Sequence, residues 1–176
     1  MKSQAVRTRP VRLRTSVARS APNGAEIAIK KILAPTDFSP ASKKALKYAV
    51  RFARDYRSEL ILLHVVEPTT SSSFDEPPEA AAFSKADMAD AEDKLRTLVR
   101  SLPSAGMSAV RSTIRMGVAA HEIVEIAKSL HADLIVIATR DYEGWKHLVV
   151  GSTAARVARA APCPVLVVRE EEHDFV

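Results

Sequence analysis

The chain has 176 residues, 47% of them hydrophobic and 27% charged, a balance that suits one globular domain and excludes a mostly disordered chain. No apolar run approaches the ~18 residues of a membrane span, and the single cysteine, Cys163, excludes an internal disulfide, which fits a reducing, cytoplasmic setting. Six basic residues, Lys2, Arg7, Arg9, Arg12, Arg14 and Arg19, precede the first acid, Glu26, so the chain's +5 less the +6 of residues 1–25 leaves −1 for the rest, and no basic face for nucleic acid is implied there.

Residues 1–27 read as a disordered basic extension, Arg- and Ser-rich and without the apolar centre of a secretory signal. Three readings of it stay open: a solvated extension, an organelle transit peptide, or an arm that touches nucleic acid or anionic lipid. Ile29 to Asp37 then reads as a first strand running into a loop. Ser39 is the expected N-cap of a helix with Pro40 at its first position. Ala41, Ala45, Leu46, Ala49, Phe52 and Ala53 recur at helical spacing through Tyr56.

Leu60 to Val66 is almost continuously apolar, as in a strand covered on both faces. Residues 67–78 hold three prolines and a Ser/Thr run and read as a loop. An Ala-rich helix is expected over Glu79–Leu102, ending before Pro103. Val110 to Arg115 is a weaker alternating strand suited to a sheet edge. Gly117 marks a turn, and Ala119–Leu130 forms a helix with Ile123, Ile126, Ala127 and Leu130 inward. Asp133 to Thr139 is the strongest buried strand. Gly151-Ser152 opens a last helix through Ala160, and Pro164 to Arg169 is the last strand. Residues 171–176 are an acidic end. Strands alternating with helices predict a parallel sheet joined by right-handed crossovers, in one domain over residues 28–170.

The loop between Thr139 and Gly151 is the place where α/β proteins commonly hold nucleotide phosphates. There Ala138 and Asp141 stand where a phosphate-cradling turn uses glycine. No Ser-His-Asp arrangement, tuned carboxylate pair or metal cluster is visible. His64 reads as a satisfied core histidine; His121, His131 and His147 lack metal-ligand spacing. Cys163, between prolines at a strand start, reads as packing rather than redox chemistry. Trp145 either packs over the phosphate position or belongs to a partner surface.

Taken together, Ile32-Leu-Ala-Pro-Thr-Asp-Phe-Ser39, Leu62-Leu-His-Val-Val66, Ala132-Asp-Leu-Ile-Val-Ile137, Gly151-Ser-Thr-Ala-Ala-Arg-Val157 and Ala161-Pro-Cys-Pro-Val-Leu-Val-Val168 resemble the universal stress protein family, of the UspA-like kind. The resemblance covers roughly Ile29 to Arg169. It implies a three-layer α/β/α sandwich, Rossmann-like and of the adenine-nucleotide alpha hydrolase-like type, with a five-stranded parallel sheet in the order 3-2-1-4-5. It also implies a homodimer formed through the last strand, Pro164, Val165, Leu166, Val167 and Val168. Some members bind ATP through a G-x2-G-x9-G-[S/T] motif; others have lost it and bind no nucleotide.

Laid on this chain, the motif's glycines fall on Ala138, Asp141 and Gly151, followed by Ser152. The nucleotide-binding positions implied by the resemblance are Pro35, Thr36, Asp37, Val65, Ala138, Thr139, Arg140, Asp141, Gly151, Ser152 and Thr153. Asp37 would contact adenosine or, equally, satisfy backbone groups of its own loop. Asp141 would set a carboxylate beside a triphosphate. Two like charges ~4 Å apart at an effective dielectric of 20 repel by roughly 4 kcal/mol, worth about three orders of magnitude in affinity. Arg140, Lys146 and His147 would partly offset this. The expectation is a non-enzymatic stress-response protein, a homodimer acting through a protein partner, with a degenerate nucleotide site and no cofactor. An ATP-binding switch and an adenine-nucleotide-dependent enzyme of a related α/β class are the alternatives. The lack of an acidic metal cluster and of a Ser-Gly-Gly-x-Ser loop counts against the enzyme.

Overall fold

A computed structural model describes residues 28–68, 85–103, 105–139, 151–171 and 173. The elements run β1 (Lys31–Pro35), α1 (Pro40–Asp55), β2 (Glu59–Val66), α2 (Lys85–Ser101), β3 (Ala109–Met116), α3 (Ala119–Leu130), β4 (Leu134–Thr139), α4 (Ser152–Ala160) and β5 (Val165–Arg169). All strand pairs are parallel, in the order β3-β2-β1-β4-β5. This is the sheet order implied by the resemblance. Among the described residues, no helix is long and apolar enough to cross a membrane.

The period-two geometry of a strand sends alternate side chains to opposite faces. Ile32, Ala34, Leu60, Leu62, Val136 and Val168 accordingly pack with α1 and with Leu95 of α2. Leu33, Ile61, Leu63, Ile135 and Ile137 pack on the other face with α3 and α4, through Ile123, Ile126, Ala127 and Val157. The near-continuous apolar strands are thus buried from both sides, and the molecule has three layers.

Several element bounds differ from the sequence reading. β1 starts at Lys31 rather than Ile29, because Ile29 spends its carbonyl on the Ser58 hydroxyl (2.5 Å) instead of a ladder bond. β4 starts at Leu134 because Asp133 turns its carboxylate onto the backbone N–H groups of Lys30 and Lys31, at 2.8 and 2.9 Å. That contact ties the start of β4 to the start of β1. α2 is described from Lys85, and the first part of the expected helix, 79–84, lies outside the described residues. Gly117 has φ +142, a value that L side chains rarely adopt, and makes the turn between β3 and α3.

Candidate functional site

The chain passes from β1 outward through β2 to β3 on one side of the sheet, then returns to place β4 and β5 on the other. The strand order therefore switches between β1 and β4. Loops leaving the carboxyl ends of two such strands diverge to opposite faces and open a crevice. A cleft of about 450 Å³ lies there, within the range of small-ligand sites.

The wall contributed by β1 is a hydrogen-bonded loop. Thr36, 7% exposed, gives its N–H to the Leu63 carbonyl and shares a bond with the Ser42 hydroxyl at 3.1 Å. Its hydroxyl also accepts the Phe38 N–H at 3.0 Å, which holds Phe38 at a positive φ of 64°. Asp37 accepts from the Ser39 N–H (3.0 Å) and the Ser39 hydroxyl (2.5 Å) through one carboxylate oxygen. Ser39 caps α1 by accepting the Ser42 N–H at 3.2 Å. His64, half-buried, donates from Nδ1 to the Thr36 carbonyl at 2.8 Å, and its ring lies 4.5 Å from that of Phe38. Its hydrogen bond supports the loop from behind, a structural role.

The opposite wall comes from β4 and α4. Thr139, 3% exposed, accepts the Gly151 N–H on its hydroxyl at 2.7 Å. One side chain thus clamps the two ends of an eleven-residue connection, 140–150. Gly151 precedes α4 and offers no side-chain cap, so the first turn of α4, with Ser152 and Thr153, faces the cleft. The remaining wall is formed by Val65 of β2, by Glu67 just beyond it and by Ala119 of α3. Val118 supplies no cap for α3. Glu67 does so from 52 residues away, accepting the Ala119 N–H at 2.9 Å.

Nine residues singled out in the sequence line this one cleft: Pro35, Thr36, Asp37, Val65, Ala138, Thr139, Gly151, Ser152 and Thr153. Arg140 and Asp141 lie outside the described residues, as do Trp145, Lys146 and His147. The sequence reading missed Ser39, Ser42, Glu67 and Ala119. Glu67 carried a usable signal, since it directly follows β2 at the carboxyl edge of the sheet. Among the described lining residues, Asp37 and Glu67 are acidic and none is basic. No group of three or more His, Cys, Asp and Glu among the described residues is placed to hold a metal ion.

Pro164 to Val168 stand apart from the cleft, at and just before β5 on the sheet's outer edge. Val168 is 2% exposed and belongs to the core beside α1, so its side chain is not at the surface. Cys163 is half-buried among the apolar residues under α3 and α4. Burial pushes its thiol pKa up, and the nearby Asp133 carboxylate adds to that.

Residues 28–169 match the universal stress protein family. The chain belongs to that family. A universal stress protein of Methanocaldococcus jannaschii is 31% identical over 145 residues, covering 82% of this chain and 85% of the relative. One from Synechocystis is 32% identical over 146 residues, covering 83% and 89%. The solved structure of universal stress protein UspA from Lactobacillus plantarum is 28% identical, with a TM-score of 0.67, across 82% of this chain and all of its own. Identity near 30% over the full domain makes this a universal stress protein in its sequence pattern as well as its strand order.

Proposed function

We propose that this universal stress protein is a non-enzymatic, cytoplasmic stress-response protein. It acts as a homodimer through a protein partner, and its cleft is an adenine-nucleotide site degenerate in its triphosphate half. The observation that carries this is the bond from Gly151 N–H to Thr139. Gly151 is the one glycine of the three-glycine pattern present here, and its backbone donor is spent on the Thr139 hydroxyl. Ala138 adds a methyl group to the same wall, and Asp141 adds a negative charge to the same connection. The Pro35–Asp37 loop and Val65 keep the other end of the cleft formed.

Proteins of the same fold have been solved with cAMP (23% identical, TM-score 0.52) and with dAMP (19%, TM-score 0.58). At those identities the likeness is one of fold alone, so the case for this chain rests on its own cleft. The second reading, an ATP-binding switch, draws support from the first turn of α4, which has no side-chain cap and faces the cleft.

Calorimetry with ATP, with and without Mg²⁺, separates the two readings. The expected result is no binding at millimolar ATP and no nucleotide carried through purification. The double change Ala138→Gly with Asp141→Gly is expected to create or strengthen ATP binding, by up to about three orders of magnitude. Micromolar ATP binding by the unaltered protein, with no gain in the double variant, overturns the degenerate-site reading in favour of the switch.

A further inference from the structure

Net charge is a sum, and folding distributes it. In a parallel sheet with returning helices, all four helices end at the amino ends of the strands, opposite the cleft. Each carries a basic residue in its last turn: Arg54, Arg100, Lys128 and Arg159. Such cations complement the carbonyl end of a helix, but that end holds only about half a charge. Lys30, Arg57 and Arg111 lie at the same end without belonging to a helix. The carboxylates there are engaged. Asp133 takes the Lys30 and Lys31 N–H groups, Asp55 pairs with Arg51 at 2.8 Å, Glu59 with Arg111 at 2.6 Å and Glu125 with Lys128 at 2.9 Å. A positive surplus is therefore exposed at this end, although the chain beyond residue 27 is neutral in sum.

The surplus gathers where α1, α2 and β3 meet. Arg54 donates from Nε to the Ala105 carbonyl at 3.1 Å and lies beside Gly106, in the connection that follows α2. Arg57 comes directly after α1, and the Glu59 N–H bonds the Lys30 carbonyl at 2.8 Å, which brings Lys30 alongside. The Arg111 side chain is 73% exposed. Tyr56 presents an exposed ring, stacked on Phe52 with centroids 6.4 Å apart. Residues 1–27 join the structure at this same end, leading into Lys30 and β1, and they add six basic residues against one acid.

We propose that residues 1–27 and this amino-end face form one site for single-stranded nucleic acid, gripped by its backbone without sequence preference. Five of the six basic residues of the extension are arginine, as are Arg54, Arg57, Arg100 and Arg111. Guanidinium forks hold phosphate oxygens in pairs and stack on bases. Tyr56 adds a ring on which an unpaired base stacks. An anionic membrane is the rival polyanion. The extension has no Phe, Trp or Tyr and is interrupted by Pro10, so it lacks the apolar face that seats an interfacial helix in lipid. The cleft lies at the other end of the sheet, so what it binds has no bearing on this site.

Fluorescence anisotropy of the full chain with a labelled single-stranded RNA of about 20 nucleotides tests this. Binding is expected to weaken by about two orders of magnitude between roughly 50 and 200 mM salt, the slope for about five phosphates on a single strand. Arg57→Gln with Arg100→Gln should weaken binding at least tenfold and flatten that slope by about 1.4. Lys43→Gln with Lys85→Gln removes the same charge from the first turns of α1 and α2, at the opposite end, and should change neither. Replacing the six basic residues of the extension by glutamine should also cost at least tenfold. Tyr56→Leu should cost about fivefold on the single strand. Unfolding curves of the variants confirm that the fold is kept.

No RNA binding at low salt overturns the proposal, as does binding to phosphatidylserine vesicles without binding to RNA. Equal losses in the Arg57/Arg100 and Lys43/Lys85 variants overturn the assignment to this face. Unchanged binding in the glutamine-substituted extension removes residues 1–27 from the site. A duplex bound as tightly as the single strand, with Tyr56→Leu without effect, overturns the preference for single strands.

Discussion

Ser39 shows how much one hydroxyl can hold. It accepts the Ser42 N–H as the cap of α1 and donates to Asp37, so the cap and the cleft wall share one side chain. Ser39→Ala should lower stability by about 1 kcal/mol, the ordinary cost of a lost N-cap. Urea unfolding checks this, with a lower midpoint and an unchanged slope as the expected signature. The cap was legible from Ser39-Pro40. The Asp37 contact was foreseen only as one of two alternatives, because a carboxylate after a strand serves a ligand or its own loop equally well. Cys163 gives a second prediction at this scale. Its thiol pKa is raised in the folded state, so its contribution to stability is fully present below the ordinary thiol value and is lost as pH rises from there through the raised folded value. Alkylation near pH 8.5 should therefore be slower in the native protein than in urea. Equal rates would show that burial does not govern this thiol.

Helix α3 had no end signals in the sequence beyond its periodicity, and the structure shows why. Its N-terminus is capped from Glu67, 52 residues away, and its C-terminus ends on His131 in the left-handed conformation, φ 52° and ψ 55°. The His131 N–H closes on the Ala127 and Lys128 carbonyls. Glycine adopts that conformation freely, whereas a β-carbon there costs energy. His131→Gly is therefore expected to raise stability by about 0.5–1 kcal/mol, read as a higher thermal midpoint. A lower midpoint would mean that the exposed imidazole makes a contact worth more than the strain. The strands show the opposite case: their apolar runs could be read directly, and their bounds moved by one or two residues, as where Ile29 and Asp133 make hydrogen bonds outside the ladder and where β3 extends to Met116.

The whole molecule has two sheet edges, β3 and β5, and they are not equivalent. β3 carries exposed Arg111 and Arg115, charges of the kind that keep an edge from pairing. β5 is the edge on which the proposed homodimer rests. Ile135 donates to the Pro164 carbonyl, so by the alternation of a parallel ladder Leu166 and Val168 bond to β4, while the N–H and C=O groups of Val165 and Val167 point outward. Val167→Pro removes one outward donor without touching the β4 ladder. Light scattering should show a mass falling from two chains to one. An unchanged mass with a folded spectrum would remove β5 from the interface.

Strand and helix order, the doubly covered sheet and membership in the universal stress protein family were set by features that short stretches of chain carry in themselves. These are period-two and period-3.6 burial, caps, and the spacing of Gly151-Ser152 from the strand before it. Tertiary structure alone decided which groups face one another across the cleft. Glu67 meets the start of α3, Thr139 closes on Gly151, and Asp37 and Glu67 share a cavity without a lysine, arginine or histidine among its described lining residues. Such meetings depend on the parallel register of strands far apart in sequence. No local pattern encodes them, because the field inside a cleft is a sum over residues that only folding brings together.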